Sequence, residues 1–140
     1  MPREVKFRAK RTDSLNNEWI YGSYMDSYFS SRFGLVTAIF FNDYEICKTF
    51  RIPVFKDTVG QFTGLKDKNG KEIYEGDIVK VEKVDLAQII WDEDRMAWGI
   101  KPINDFYFDS PLLADNIDLE LEVIGNIYEN ADLLKGADNI

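Results

Sequence analysis

The residues that could do chemistry in this sequence are chiefly carboxylates. The 140-residue chain holds 25 Asp and Glu, no His, and a single Cys, Cys47. Without histidine it lacks the commonest general base and the usual zinc ligand. Cys47 falls in a predicted strand, where we expect a buried packing role, and no histidine is present to activate its thiol. Nucleophilic catalysis by a Cys–His or Ser–His pair therefore has no support in the sequence.

Two acidic groups could bind Mg²⁺ or supply a carboxylate pair: Glu72, Glu75 and Asp77, and Asp92, Glu93 and Asp94. In so acidic a chain such groups are expected by chance, and turns favour these residue types. We therefore predict no catalytic, metal or cofactor site and no enzymatic activity. A carboxylate–metal hydrolase stays open as an alternative.

The glycine-rich run in mid-chain favours turns over ligand loops. Asp67-Lys68-Asn69-Gly70 begins like a calcium loop, but its glycine comes at position 4 and position 12 is Ile78. Neither a Gly-x-Gly-x-x-Gly nor a P-loop pattern occurs. Asn69-Gly70 instead predicts a hairpin turn.

Two kinds of residue are candidates for an interface. The first is the basic face of an N-terminal strand, formed by Lys6, Arg8 and Lys10. The second is a surplus of aromatic side chains, since 14% of the chain is Phe, Trp or Tyr and exposed aromatic patches mark interfaces. In loop-like contexts we expect Tyr28, Phe29, Phe106, Tyr107 and Phe108 to be exposed.

Charge is unevenly distributed along the chain. The formal net charge is −8, yet residues 1–11 carry five basic residues and one acid. Residues 85–140 carry thirteen acids and three bases. A surface of that sign repels phosphate backbones, so nucleic-acid binding over the C-terminal half is disfavoured, and the basic strand is left to contact either phosphate or the chain's own acidic half. The opposite charges of the two ends also predict homo-oligomerisation, with the basic strand against an acidic surface.

The elements that must position these residues are short strands. Residues 4–10 alternate strictly, with Val5, Phe7 and Ala9 on one face. Residues 35–41 and 44–52 form two β runs around Asn42-Asp43, which predicts a tight hairpin, with a short helix over 38–50 as the alternative. Eight to ten such strands with frequent turns predict a mainly β fold, a small barrel or roll, and at most one or two short helices. One of these is predicted over residues 131–135, capped by Asn130 and ended by Gly136.

Residues 58–79 resemble the signature of the YopX family, small proteins of bacteriophages and prophages. Residues 3–9 with Trp19-Ile20-Tyr21-Gly22-Ser23, and residues 121–130, resemble its opening and closing segments. The resemblance implies an SH3-like β-barrel over residues 59–140, with an N-terminal β-hairpin lobe over 1–58 that packs beside the barrel or into it. The family offers no catalytic residues. We interpret its signature positions as structural: Gly60, Gln61, Gly64, Asp67, Asn69, Gly70, Gly76, Asp77, Gly125 and Asn126.

The function these observations favour is that of a phage or prophage accessory protein that binds a protein partner without catalysis. A nucleic-acid-associated module, or an acidic mimic acting on a host DNA-binding protein, is the alternative. The chain shows no apolar run long enough to span a bilayer and no signal-peptide pattern. We therefore expect the cytoplasm of a bacterial host, no membrane partner and no cofactor.

Overall fold

The chain divides into two compact units, Met1–Phe62 and Thr63–Ile140. The structure is a computed structural model that describes residues 4–30 and 34–139, with side chains for residues 4–27 and 34–135. The boundary between the two units falls inside a strand, whereas the sequence predicted a boundary after residue 58. The described residues are mainly β, as predicted.

The N-terminal unit is an antiparallel sheet in the order β4-β3-β2-β1-β5. The predicted strand over residues 4–10 is confirmed over its second half, and its inward residues Phe7 and Ala9 pack with Ile20, Ile39 and Val54. The chain after the last hairpin returns to the first strand, where Val54 bridges Arg11. The strands are β1 (Phe7–Lys10), β2 (Trp19–Ser30), β3 (Gly34–Asp43), β4 (Lys48–Pro53) and β5 (Gly60–Lys66), with a 3₁₀ segment at Lys56–Thr58.

The β3–β4 hairpin is confirmed, but its turn lies at Tyr44–Cys47 and not at Asn42-Asp43. The Asp43 side chain decides this position, because its Oδ1 accepts hydrogen bonds from the backbone N–H of Glu45 (3.0 Å) and Ile46 (3.4 Å). Cys47 closes the turn with φ 53°. The prediction of a buried strand position for Cys47 is therefore wrong, since the residue is exposed.

The C-terminal unit contains the rest of β5 and an antiparallel sheet in the order β10-β7-β8-β9. Its core is aliphatic and includes Ile73, Ile89 and Leu113. Within the described residues the sheet stays open and forms no closed barrel, so the SH3-like barrel is not confirmed. The remaining strands are β6 (Glu72–Tyr74), β7 (Asp77–Val81), β8 (Asp85–Asp92), β9 (Ala97–Pro102) and β10 (Leu121–Asn126).

Among the signature residues, Asp67 has a central structural role. Its carboxylate is buried and accepts three backbone hydrogen bonds. Oδ1 binds the N–H of Asn69 (2.8 Å) and of Lys71 (2.9 Å), which forms the hairpin turn, and Gly70 supplies the positive φ of 82°. Oδ2 binds the N–H of Val123 at 2.9 Å. One side chain therefore shapes a turn and fastens it to β10.

Other signature positions also have structural roles. Asp77 is buried, and its Oδ2 accepts the N–H of Tyr74 at 2.8 Å. Asn126 Oδ1 closes the turn after β10 by accepting two backbone hydrogen bonds, from Tyr128 and Glu129. Gly125 makes room for the Asn130 side chain, which a Cβ at position 125 would displace. Gly60 and Gln61 pair with β1, and Gly64 and Gly76 have positive φ.

All three helical segments in the described residues are 3₁₀ turns, at Lys56–Thr58, Ala114–Asn116 and Ala131–Asn139. The terminal one begins where predicted but does not end at Gly136. Asn130 does not cap it through its side chain, whose Oδ1 instead accepts the N–H of Asn126 at 3.1 Å. In the part of the chain that is described, no helix has the length and apolar character needed to cross a membrane.

An ion pair fastens the β2 bulge of the N-terminal unit. The Asp26 carboxylate, beside the register shift that follows Met25, accepts hydrogen bonds from Lys56 Nζ (2.9 Å) and Thr37 Oγ1 (3.0 Å). The Lys56 hydrogen bond, followed by that from Thr37, lowers the pKa of Asp26, and the same contact raises the pKa of Lys56. Because the folded-state pKa of this carboxyl is the lower one, its contribution to stability is present above the unfolded-state pKa and is lost as pH falls through the folded-state value.

Removing the Asp67 carboxylate is expected to destabilise the C-terminal unit. Asp67→Ala leaves three backbone N–H groups without their acceptor, and we expect the free energy of unfolding to fall by about 3 kcal/mol. Urea unfolding followed by tryptophan fluorescence measures the change. The control is Asp94→Ala in an exposed turn, which should change stability by less than about 0.5 kcal/mol. Equal effects of the two substitutions would contradict the role given to Asp67.

Lys56→Gln is expected to raise the pKa of Asp26 towards its ordinary value, because the largest cause of its depression is removed. Carboxyl ¹³C NMR across a pH titration reads this directly. Lys66→Gln, which removes a lysine charge from another exposed position, should leave Asp26 unchanged. If the Asp26 titration curve is the same with and without Lys56, the assigned ion pair is wrong.

Candidate functional site

The predicted basic face of the N-terminal unit is interleaved with aromatic rings. The Lys6 Nζ lies 5.4 Å from the Phe62 ring centre, and the Arg8 guanidinium and Lys10 Nζ lie 4.5 Å and 5.1 Å from that of Trp19. Sheet register explains the contact between Lys10 and Trp19, because the two residues lie directly opposite one another. Arg8 is only 6% exposed, so its side chain is part of a packed layer and not an open cationic surface.

Tyr28 and Phe29 belong to β2 and not to a loop. Their backbones pair with Val36 and Leu35, while their side chains lie outside the described part of the chain. Leu35 itself is largely exposed. The end of the β2–β3 hairpin therefore presents at least one apolar side chain to solvent.

The aromatic triplet at residues 106–108 separates into two environments. Phe106 and Phe108 pack edge to face, with ring centres 4.9 Å apart, against the core of the C-terminal unit. Tyr107, between them in sequence, is 85% exposed. Of these three predicted interface residues, Tyr107 is the one that the structure leaves open to a partner.

Tyr107 borders a concave site that we call the acidic cavity. It has a volume of about 300 Å³ and lies between the segment after β9 and the second 3₁₀ segment. Asn116 orders its floor, because its buried side chain donates to the carbonyls of Ser110 (2.9 Å) and Leu112 (2.7 Å). Its lining residues are Tyr107, Phe108, Asp109, Ser110, Asp115, Asn116, Asp118 and Leu119.

The acidic cavity has a fixed position next to the sheet. The Pro111 carbonyl accepts the N–H of Ile100 at 2.9 Å, and the N–H of Leu113 donates to the Trp98 carbonyl at 3.0 Å. These bonds cover the outer edge of β9 and hold the loop in register with it. Buried Leu113 then anchors the loop in the core. The cavity is therefore built on a supported loop.

A second surface, which we call the Trp–Met tip, consists of Trp91, Met96 and Trp98 at the end of the β8–β9 hairpin. Trp91 and Trp98 are opposite one another in the register, with ring centres 4.9 Å apart and planes at 72°. Trp98 packs on the core, Trp91 is 36% exposed and Met96 is 71% exposed. Sequence reasoning missed this surface, although two tryptophans flanking an acidic turn were the available signal.

The turn that carries Met96 is organised by Asp92. Its Oδ1 accepts the N–H of Asp94 (3.0 Å) and Arg95 (3.2 Å), and its Oδ2 accepts a hydrogen bond from the Arg95 guanidinium at 2.9 Å. Desolvation raises the pKa of Asp92, but the hydrogen bonds from Arg95 and the backbone outweigh it, so the pKa lies below its ordinary value. The turn ends on Met96 with φ 51°, a left-handed conformation that methionine rarely adopts.

The carboxylates and the thiol of the described residues are spread over separate surfaces. Over the described residues, no three or more Cys, Asp or Glu side chains are grouped so that they could hold a metal ion. Exposed Cys47 lies in the turn of another hairpin. The acidic cavity and the Trp–Met tip are suited to non-covalent binding, the first through charge and aromatic walls, the second through apolar contact.

Comparison with known proteins finds a solved structure and a protein family that are similar to this chain. The crystal structure of protein EF1440 from Enterococcus faecalis is similar to this chain, with a TM-score of 0.54 and 24% identity over 95% of this chain and 99% of that chain. That likeness shows the fold alone. No curated protein matches the sequence. The family model described as YopX protein matches residues 6–135, so the chain belongs to the YopX protein family.

Proposed function

We propose that this protein is a non-catalytic module that binds a protein partner through the Trp–Met tip. The observation that carries the proposal is the exposure of Met96 and Trp91 on a hairpin whose other tryptophan is anchored in the core. Tryptophan and methionine are enriched at interfaces, and a rigidly supported aromatic residue binds with little loss of side-chain entropy.

The conformation of Met96 supports a role in binding. A methionine at φ 51° adopts a backbone conformation that Asn or Gly tolerates better. Its side chain is largely in water, so it gives the fold little packing energy in return. Contact of this side chain with a partner would give methionine a role at this position that the fold alone does not give it.

The biological setting is part of the same proposal. We infer an accessory protein encoded by a phage or prophage and acting in the cytoplasm of a bacterial host. An SH3-like roll for residues 59–140 would suit it, since small β rolls serve as scaffolds for binding loops. A nucleic-acid partner has less support, because Arg8 is buried in its cation–aromatic layer.

Met96→Asn is expected to weaken partner binding while leaving the fold at least as stable, because asparagine tolerates the left-handed conformation. The partner is first captured by photocrosslinking from p-benzoylphenylalanine placed at position 96 in host lysate, then purified. Isothermal titration calorimetry with the purified partner should show at least about a tenfold weaker Kd, or about 1.4 kcal/mol. Urea unfolding provides the stability readout.

The matched control is Val84→Asn, at an exposed apolar residue in the turn between β7 and β8 of the same unit. It removes a comparable exposed apolar side chain and should leave the Kd unchanged. Equal binding by the native protein and by Met96→Asn would overturn the proposal, and so would equal losses at positions 84 and 96.

A further inference from the structure

We propose that the acidic cavity binds a lysine or arginine side chain of a protein partner. The inference deepens the proposed function, on which it rests for the class of partner, by naming the chemistry that a second contact site recognises. It is carried by the shape of the cavity, its aromatic wall and the uncompensated charge of its rim.

The cavity combines an aromatic wall with carboxylates, which is the combination that a cationic group prefers. Tyr107 is 85% exposed, and Phe108 beside it is held by its packing on Phe106. A cation over an aromatic face is attracted by the ring quadrupole. A volume of about 300 Å³ accommodates the end of one long side chain.

The rim charge of the cavity has no counter-ion within the described part of the chain. Asp109 and Asp118 form neither an ion pair nor a side-chain hydrogen bond there, and Asp115 accepts a hydrogen bond only from the Ser110 hydroxyl, at 2.6 Å. Among the described residues, no lysine or arginine lines the cavity. An incoming ammonium or guanidinium group would therefore enter a cavity lined by three aspartates without displacing a cation of the described residues.

A divalent metal ion fits the site less well than an organic cation. Mg²⁺ and Ca²⁺ need several oxygen ligands at 2.0–2.6 Å from one point, and no such grouping of carboxylates occurs among the described residues. An apolar wall also contributes nothing to a hard cation, whereas it packs against the aliphatic stem of a lysine or arginine.

The test uses three capped tripeptides, Ac-Gly-Lys-Gly-NH₂, Ac-Gly-Arg-Gly-NH₂ and the neutral Ac-Gly-Nle-Gly-NH₂, titrated into the ¹⁵N-labelled full chain. We expect the lysine or arginine peptide to shift amide resonances of residues 107–119, with a Kd of roughly millimolar size and at least about a tenfold preference over the norleucine peptide. Raising NaCl to 0.5 M should weaken the binding by screening.

Two variants localise the effect. The double substitution Asp109→Asn with Asp118→Asn should weaken the preferred peptide at least about fivefold, and Tyr107→Ala about threefold. The double control Glu45→Gln with Asp57→Asn removes the same charge from exposed positions of the N-terminal unit and should have no effect. Shifts that the norleucine peptide reproduces, no shifts up to 20 mM peptide, or tighter binding of Ca²⁺ than of either basic peptide would each overturn the inference.

Failure here is distinguishable from failure of the proposed function. The peptide titration needs no partner protein and reports only on residues 107–119, whereas the capture experiment reports on the Trp–Met tip. If the peptides fail to bind while the Met96-dependent complex still forms, the acidic cavity is not part of the interface. Binding of a partner through the Trp–Met tip would then still stand.

Discussion

The C-terminal unit depends on one buried carboxylate, that of Asp67. Its three backbone hydrogen bonds join residues that are far apart in sequence, since Val123 lies 56 positions beyond Asp67. A carboxylate is suited to this because both oxygens accept and neither donates, so three N–H groups can converge on it without conflict. The neighbouring bond from Lys68 N–H to the Leu121 carbonyl, 2.9 Å long, covers the same edge of β10. An edge that would otherwise be open to other strands is thereby occupied.

An aspartate side chain also organises one turn in each of the two units. Asp43 and Asp92 each precede a four-residue turn, accept two of its backbone N–H groups through Oδ1, and are followed by a closing residue of positive φ. The closing residues are Cys47 and Met96, neither of which is favoured in that conformation. The turn geometry therefore comes from the aspartate at the start, and the residue at the end is left for other uses.

Sequence reasoning succeeded where the determinant is local. Alternation in residues 4–10 and the Asn69-Gly70 turn both depend on neighbours in the chain. It failed on the β3–β4 turn because Asn42-Asp43 matches the signal for a two-residue hairpin turn. The Asp43 side chain instead accepts backbone hydrogen bonds from residues that follow it, and the turn therefore lies further along the chain. The packing of Phe106 and Phe108 on either side of exposed Tyr107 depends on residues elsewhere in the unit, and whether the sheet closes into a barrel depends on contacts distant in sequence. Neither could be predicted from local pattern.

The acidic residues of the C-terminal unit do not all have the same role. Most exposed carboxylates of a soluble protein are simply hydrated, and many surface ion pairs contribute little. Several acids of this unit differ because they hold backbone groups in place: Asp67, Asp77 and Asp92 each accept backbone hydrogen bonds. Asp109 and Asp118 accept no backbone hydrogen bond from the described residues, yet they line an ordered cavity beside the exposed Tyr107. Carboxylates that do no structural work beside a preformed aromatic wall are the ones whose field is available to a partner.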